Sequence, residues 1–230
     1  MTVFGLVHGS WQGAWVWGPL ITELEHRGHR GIAVDMPAHD IQAGASQYAD
    51  KLFDALRDVT DDVVLVGHSL GGLSIPLLPA RRPVRALVFL AAGIPRPRMT
   101  YAAQVQQEGI REQSAFDQTA KDEHGCTILP YHTALDVLYN ACKPEVAHWA
   151  ADRLRYQAQK PMTEVTPLTR WPDVSCAYIA CHGDRVINAD WQVRAAQDRF
   201  GADPYEMFTD HSPMLSATED LADILLEIQA

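Results

Sequence analysis

Cysteines are few, long apolar runs are missing and basic charge is short in this sequence, and each shortage excludes a class of protein. The four cysteines (Cys126, Cys142, Cys176, Cys181) show no C-x-x-C spacing, which argues against a zinc ribbon or a paired-disulfide framework. Cys176 and Cys181 stand an odd number of positions apart, so on one strand they would face opposite sides and could share neither a metal nor a bridge. No metal site or cofactor is expected from them. A reduced, cytoplasmic protein is the simplest reading.

The longest uncharged apolar run, ALVFLAAGIP, is too short to span a bilayer. The N-terminal MTVFGLVHGS offers neither a basic leader nor a cleavage pattern, so no secretory signal is expected. Nineteen Lys and Arg stand against 29 Asp and Glu, a formal charge of −10. Nucleic acid and anionic membrane both call for a basic surface, so neither is an expected partner.

With 230 residues, 47% of them hydrophobic, the chain can bury the core of one α/β domain and carry an insertion. Six short apolar runs recur: VFGLVHG, GIAVDMP, VVLVG, ALVFLAAG, CAYIAC and, more weakly, PYEMF. Their hydrophobicity is continuous rather than alternating, which indicates strands buried on both faces, as in a parallel sheet. Helical segments lie between them. AWVWGPLITELEHRG closes at Gly28, and SQYADKLFDALRDV opens at Ser46 as N-cap with Leu52, Ala55, Leu56 and Val59 on one face. LGGLSIPLLPA, DWQVRAAQDRFG and ATEDLADILLEI complete the set. The expected fold is a doubly wound, mostly parallel six-stranded sheet.

One stretch breaks this rhythm. Residues 96–173 carry no strand signal but hold many prolines and two helical pieces, one from Thr133 and one opening at Pro144 with Val146, Trp149, Ala150 and Leu154 as a stripe. So long a stretch exceeds an ordinary connection. A core of residues 1–95 and 174–230 with a helical cap at 96–173 is expected, the cap overhanging whatever lies at the sheet edge.

Chemistry concentrates at that edge. Gly67-His68-Ser69-Leu70-Gly71 fits G-x-S-x-G between a buried strand and a helix. Glycines let the chain reverse tightly around a strained serine, and a helix would aim its N-terminal dipole and the Leu70 N–H at the site. A plain turn is the alternative. A serine nucleophile needs a base. Of ten histidines, His26 and His29 flank a helix end, and His124, His132 and His148 lie in the insertion, where a metal role for His124 stays open. His211 follows the last strand in TDHSPMLS, at the edge that holds Ser69. Asp184, after CAYIAC, is the expected acid; Asp210 is the runner-up, poorly placed to reach its neighbour's ring. The second oxyanion donor is expected after the first strand, where Gly9 permits close approach and Ser10 offers its N–H.

With VHGSWQGAWVW, VVLVGHSLGG, HGDRVI and DHSPMLS in place, the sequence resembles the α/β-hydrolases over nearly its whole length. More narrowly, it resembles the branch of plant methyl-ester esterases and hydroxynitrile lyases and their bacterial relatives. The lyases tend to carry a threonine at the position of Gly9, an acidic residue at that of His68 and a lysine at that of Ser212. All three positions therefore point to ester hydrolysis. The resemblance implies an acyl-enzyme on Ser69, no cofactor, a small-molecule ester substrate of methyl or short-chain type, and a homodimer in some members. Pocket candidates are Gly9, Trp11, Tyr131, Leu135, Trp149 and Met214, with Trp15, Leu138 and Met162 beside them; packing within the cap is the competing reading. Lyase or C–C hydrolase chemistry on the same residues, or ligand binding without turnover, remain as rivals.

Overall fold

In the computed structural model the described residues are 1–111 and 118–229; residues 112–117 of the expected cap lie outside them. Six strands form one sheet: β1 (Thr2–Val7), β2 (Arg30–Val34), β3 (Asp62–His68), β4 (Ala86–Leu90), and two strands after the insertion, Ser175–Cys181 and Tyr205–Met207. Two more strands lie inside the insertion, β5 (Ala120–Lys121) and β6 (Thr127–Ile128), so the late sheet strands are β7 and β8. The sheet order is β2-β1-β3-β4-β7-β8 and every pairing is parallel.

The continuous apolar runs of the central strands β1, β3 and β4 follow from burial on both faces. Val63 and Leu65 of β3 join one core layer while Val64 and Val66 join the other. Helices α1 (Gly18–His26) and α9 (Thr218–Gln229) cover the second layer through Leu20, Leu24, Leu221 and Leu225. Helices α2 (Ala45–Ala55) and α7 (Ala189–Phe200) cover the first through Tyr48, Leu52, Trp191 and Ala195. The chain between β4 and β7 carries α3 (Tyr101–Glu108), α4 (Tyr131–Val137), α5 (Pro144–Ala151) and α6 (Lys160–Thr163), and a short α8 (Pro213–Ser216) follows β8.

Several local expectations shift. The stretch expected to hold no strand contains the β5–β6 hairpin, whose two-residue strands are too short to show periodicity. Helix α2 begins at Ala45 with Gly44 as N-cap, not at Ser46. Gln47 accepts from the Gly44 N–H at 2.9 Å, and Glu164, from the insertion, accepts from the Ala45 N–H at 2.7 Å. A cap supplied from so far along the chain leaves no local signal. Ala55 is exposed, and Tyr48 and Ala49 extend the buried face with Leu52 and Leu56 instead. Helix α4 starts at Tyr131 rather than Thr133. In α5 the buried face is Ala147, Ala150 and Ala151, while Trp149 is exposed. After Ser69 the chain forms two short 3-10 turns, Ser69–Leu73 and Ile75–Leu77, instead of one long helix. Gly71 and Gly72 weaken helix there and Pro76 removes a donor. Little macrodipole can therefore act at Ser69, which leaves the local N–H groups.

Candidate active site

A parallel sheet opens the loops that follow its strands at one edge. The turns after β1, β3, β4, β7 and β8 meet there, carrying Gly9–Ser10, Ser69, Ala91–Gly93, Asp184 and His211.

Ser69 sits at φ 52, a left-handed conformation that costs a non-glycine residue energy and needs surroundings that enforce it. Glycine packing supplies the enforcement. A Cβ on Gly71 would stand 2.6 Å from the Val7 carbonyl oxygen, one on Gly72 2.3 Å from that of Gly93, and one on Gly67 2.9 Å from the Gly72 nitrogen. The Gly93 N–H donates to the Ser69 carbonyl at 3.1 Å. The turn after β4 is held in its own right, since the Tyr178 hydroxyl donates to the Ala92 carbonyl and accepts from its N–H, both at 2.8 Å.

Asp184 and His211 form a buried pair, with the His211 Nδ1–H donating to Asp184 Oδ2 at 2.8 Å. That contact assigns the proton to Nδ1 and leaves Nε2 as the ring's basic nitrogen. Asp184 has three further donors: the N–H groups of Val186 and Ile187 on Oδ1 at 2.7 and 3.0 Å, and Gln192 Nε2 on Oδ2 at 3.0 Å. Fully buried Gln192 is itself fixed, donating to the Ile187 carbonyl and accepting from the Cys181 N–H. Asp210 is engaged elsewhere. It accepts from the Ser212 N–H and the Ser216 hydroxyl, and from the Ala141 N–H of the insertion at 2.9 Å.

His68 holds the His211 backbone. Its Nε2–H donates to the His211 carbonyl at 2.7 Å, and the two rings lie 4.7 Å apart. Burial, and then the neighbouring His211, push the His68 pKa well below the usual imidazole value, so His68 is a neutral donor.

The loop after β1 lies against the serine. A Cβ on Gly9 would come within 2.7 Å of the Ser69 Cβ, and Trp11 takes φ 64. Arg155 reaches this loop from the insertion. Its guanidinium donates to both oxygens of Asp35 at 2.8 Å, to the Gln12 carbonyl at 2.8 Å and to His8 Nε2 at 3.2 Å, while its backbone N–H donates to the Trp11 carbonyl at 2.8 Å. Asp35 also accepts from the Ala14 N–H. Burial lowers the His8 pKa to about 4, which keeps its Nε2 free to accept, from the Met36 N–H as well.

A narrow recess beside Ser69 is lined by Ser10, Trp11, Leu70, Tyr101, Arg111 and Ile187, among others. The other pocket candidates are placed differently. Tyr131 and Trp149 are exposed, Tyr131 stacking on His148 and Trp149 packing edge-on to Trp15. Leu138 belongs to the core of the insertion's side, half-buried Leu135 packs against it, and Met214 is fully buried in the layer of α1 and α9. None of these lines the recess, whereas Met162 lines a cavity next to it. Sequence reading missed Arg155, Gln192 and the task of His68, because hydrogen bonds between distant segments leave no periodic mark.

Among the described residues one His/Asp/Cys group could hold a metal ion: His39, Asp122 and Cys126, with ligand atoms within 4.8 Å of one another. His124 is not a member. The group lies in a loop contact, where Asp122 accepts from His39 and caps the turn through the N–H groups of His124 and Cys126. No helix among the described residues is long and apolar enough to cross a membrane.

The chain is 29% identical to methyl jasmonate esterase 1 of Vitis vinifera, over 98% of this chain and 95% of that one. It is 30% identical to polyneuridine aldehyde esterase of Rauvolfia serpentina, over 98% and 94%. The crystal structure of polyneuridine aldehyde esterase covers 100% of both chains with a TM-score of 0.84 at 25% identity. A pyrethroid hydrolase from Sphingobium faniae JZ-2 shares the fold, with a TM-score of 0.80 at 20% identity over 100% of this chain and 97% of its own. A sheet order with Ser69 in the turn after β3, and a family profile matched across residues 6–224, lead to one conclusion: the chain belongs to the alpha/beta hydrolase family.

Proposed function

We propose that the protein is a serine-dependent carboxylic-ester hydrolase acting on small methyl or short-chain esters. The observation that carries this reading is the buried Asp184–His211 hydrogen bond at the sheet edge where Ser69 is held at φ 52. In this reading Ser69 Oγ attacks the ester carbonyl carbon while its proton passes to His211 Nε2. Asp184, held by four donors, stabilises the imidazolium. The oxyanion is received by the N–H groups of Ser10 and Leu70, brought close by the missing side chain at Gly9. The tetrahedral intermediate expels the alcohol, which takes the proton from His211, and an acyl group remains on Ser69. A water deprotonated by His211 then releases the acid and restores the serine.

Residues 96–173 act as the cap in this account. The cap contributes Tyr101 and Arg111 to the recess and Arg155 to the oxyanion loop. The lyase alternative is disfavoured by Ser212, whose hydroxyl accepts from Gln12 at 3.3 Å and carries no positive charge for a departing anion. A cytoplasmic location fits the four free cysteines. The test is hydrolysis of p-nitrophenyl acetate and butyrate by the wild type beside Ser69→Ala. Turnover lost in the variant is the expected result; equal turnover in both, or none in a folded wild type, overturns the reading.

A further inference from the structure

Three side chains that the proposed reaction does not use meet where the β5–β6 hairpin touches the loop after β2. His39 comes from the loop, Asp122 and Cys126 from the hairpin turn. His39 Nε2 stands 2.8 Å from Asp122 Oδ2, and all three ligand atoms, Cys126 Sγ included, lie within 4.8 Å of one another. Zinc bonded at ~2.0–2.1 Å to nitrogen and oxygen and ~2.3 Å to sulfur spaces tetrahedral ligand atoms roughly 3.3–3.6 Å apart, so movements of about 1 Å close the three around one ion. Exposed His39 has the freedom to make them.

The turn is already shaped to present its two ligands. Asp122 Oδ1 accepts from the N–H groups of His124 and Cys126, both at 2.9 Å, and the Asp122 N–H donates to the Cys126 carbonyl at 3.0 Å. Gly125 closes the turn at φ 77. One carboxylate oxygen is therefore fixed by the backbone while the other faces His39, the kind of outer support that orients metal ligands. The His39 ring is itself stacked on Tyr156, with centroids 5.8 Å apart. Cys126 is what an ordinary surface ion pair lacks: it is buried, and its Sγ makes a long contact of 3.9 Å to the His39 carbonyl. Thiolate, imidazole and carboxylate together match zinc and suit neither magnesium nor calcium.

We infer that His39, Asp122 and Cys126 bind one Zn2+ ion that clips the β5–β6 hairpin to the loop after β2. Binding replaces the His39–Asp122 hydrogen bond with two metal bonds and displaces the proton of the thiol. Thiolate and carboxylate balance the charge of the ion, and water takes the fourth position from the exposed side. The role is structural, yet it reaches the candidate active site. Thr127, next to Cys126, accepts from Trp11 Nε1 at 3.2 Å, exchanges two backbone hydrogen bonds with Gln157 and lines the cavity beside the recess. The ligand set left no motif in the sequence because His39 and Asp122 stand 83 positions apart.

The test is a titration of the metal-free, reduced full-length protein with Co2+, whose spectrum reports its ligands. One equivalent is expected to bind, with a thiolate-to-cobalt charge-transfer band in the near ultraviolet. Zn2+ should displace it, and Mg2+ and Ca2+ should not. Zn2+ at about 100 times its Kd should raise Tm by ~5–10 °C. Cys126→Ser should remove the charge-transfer band, and Cys142→Ser should keep it, since Cys142 lies beside Asp210. His39→Gln changes an exposed side chain, so the fold is not at stake, and it should weaken Co2+ binding by at least about tenfold. A wild type that takes up no Co2+ or shows no thiolate band overturns the inference. So does a band retained in Cys126→Ser, or an unchanged affinity in His39→Gln. None of these readouts depends on the ester-hydrolase reading.

Discussion

Replacing Arg155 by methionine keeps most of the side chain's volume and removes the fork that ties residues 96–173 to the loop after β1, the proposed oxyanion loop. The variant loses two contacts to Asp35, one each to the Gln12 and Met36 carbonyls and one to His8 Nε2, but keeps the backbone bond to Trp11. Asp35 is 57% exposed at the side chain, so the ion pair itself contributes only about 1 kcal/mol or less. The charged donor on the Gln12 carbonyl contributes about 1.5 kcal/mol or somewhat more. A total near 2 kcal/mol would lower Tm by ~4–8 °C for a domain of this size. The catalytic effect should be larger in proportion. One oxyanion donor supports ~100- to 1000-fold in kcat, and a loosened loop forfeits part of that. Arg155→Met is therefore expected to lower kcat by ~10- to 100-fold with KM within about threefold, and Arg155→Lys to fall between. The assay is p-nitrophenyl butyrate hydrolysis below the melting transition, with the folded fraction measured by circular dichroism. A folded Arg155→Met enzyme with wild-type kcat would show that the Arg155 fork does not hold the loop after β1 in its working position, as would a loss no larger than the loss of folded protein.

Three further outcomes follow from single residues. Asp184→Asn should cut kcat by a factor of ~1000 or more, whereas Asp210→Asn should mainly lower Tm, because Asp210 holds Ala141, Ser212 and Ser216 rather than the His211 ring; steady-state kinetics and melting curves on both distinguish them. Gly9→Ala places a Cβ 2.7 Å from that of Ser69 and should depress kcat much more than Tm, so a fully active variant would displace the oxyanion loop from its assigned place. Burial lowers the His8 pKa from 6.5 to about 4, so the unfolded chain binds this proton first as acid is added. Stability should fall as pH drops from 6.5 towards 4, by up to about 3 kcal/mol from this group. His8→Asn should flatten that limb of a Tm-against-pH curve, and an unchanged slope would remove His8 as its source.

What could be read from the sequence divides along the range of the interactions. Strands buried on both faces print continuous apolar runs, which made β1, β3 and β4 legible; the edge strands β2 and β8 are only partly buried, and their shorter apolar runs still marked them. The order of chemistry along the chain was legible too, since parallel strands place the residues after VVLVG, CAYIAC and PYEMF at one edge whatever the detail of the packing. Long-range polar ties were not. Glu164 sets the start of α2 from 119 positions away, and Arg155 meets Asp35 across 120. Helix α5 misled in phase because its interior side is built of alanines while Trp149 lies outside against Trp15. Met214, adjacent in sequence to the His211 loop, turns into the layer beneath the sheet, because α8 starts at Pro213 and presents it to α1 and α9.

In the proposed mechanism Ser69 is a nucleophile activated by His211. The most direct measurement is the mass of the protein after reaction with a p-nitrophenyl alkylphosphonate, with peptide mapping of the product. One phosphonyl group on the peptide containing Ser69 is predicted, with one equivalent of p-nitrophenolate released. The group should be absent from Ser69→Ala and form far more slowly in His211→Ala. Labelling at another residue, or labelling of Ser69 at the same rate without His211, would contradict the account.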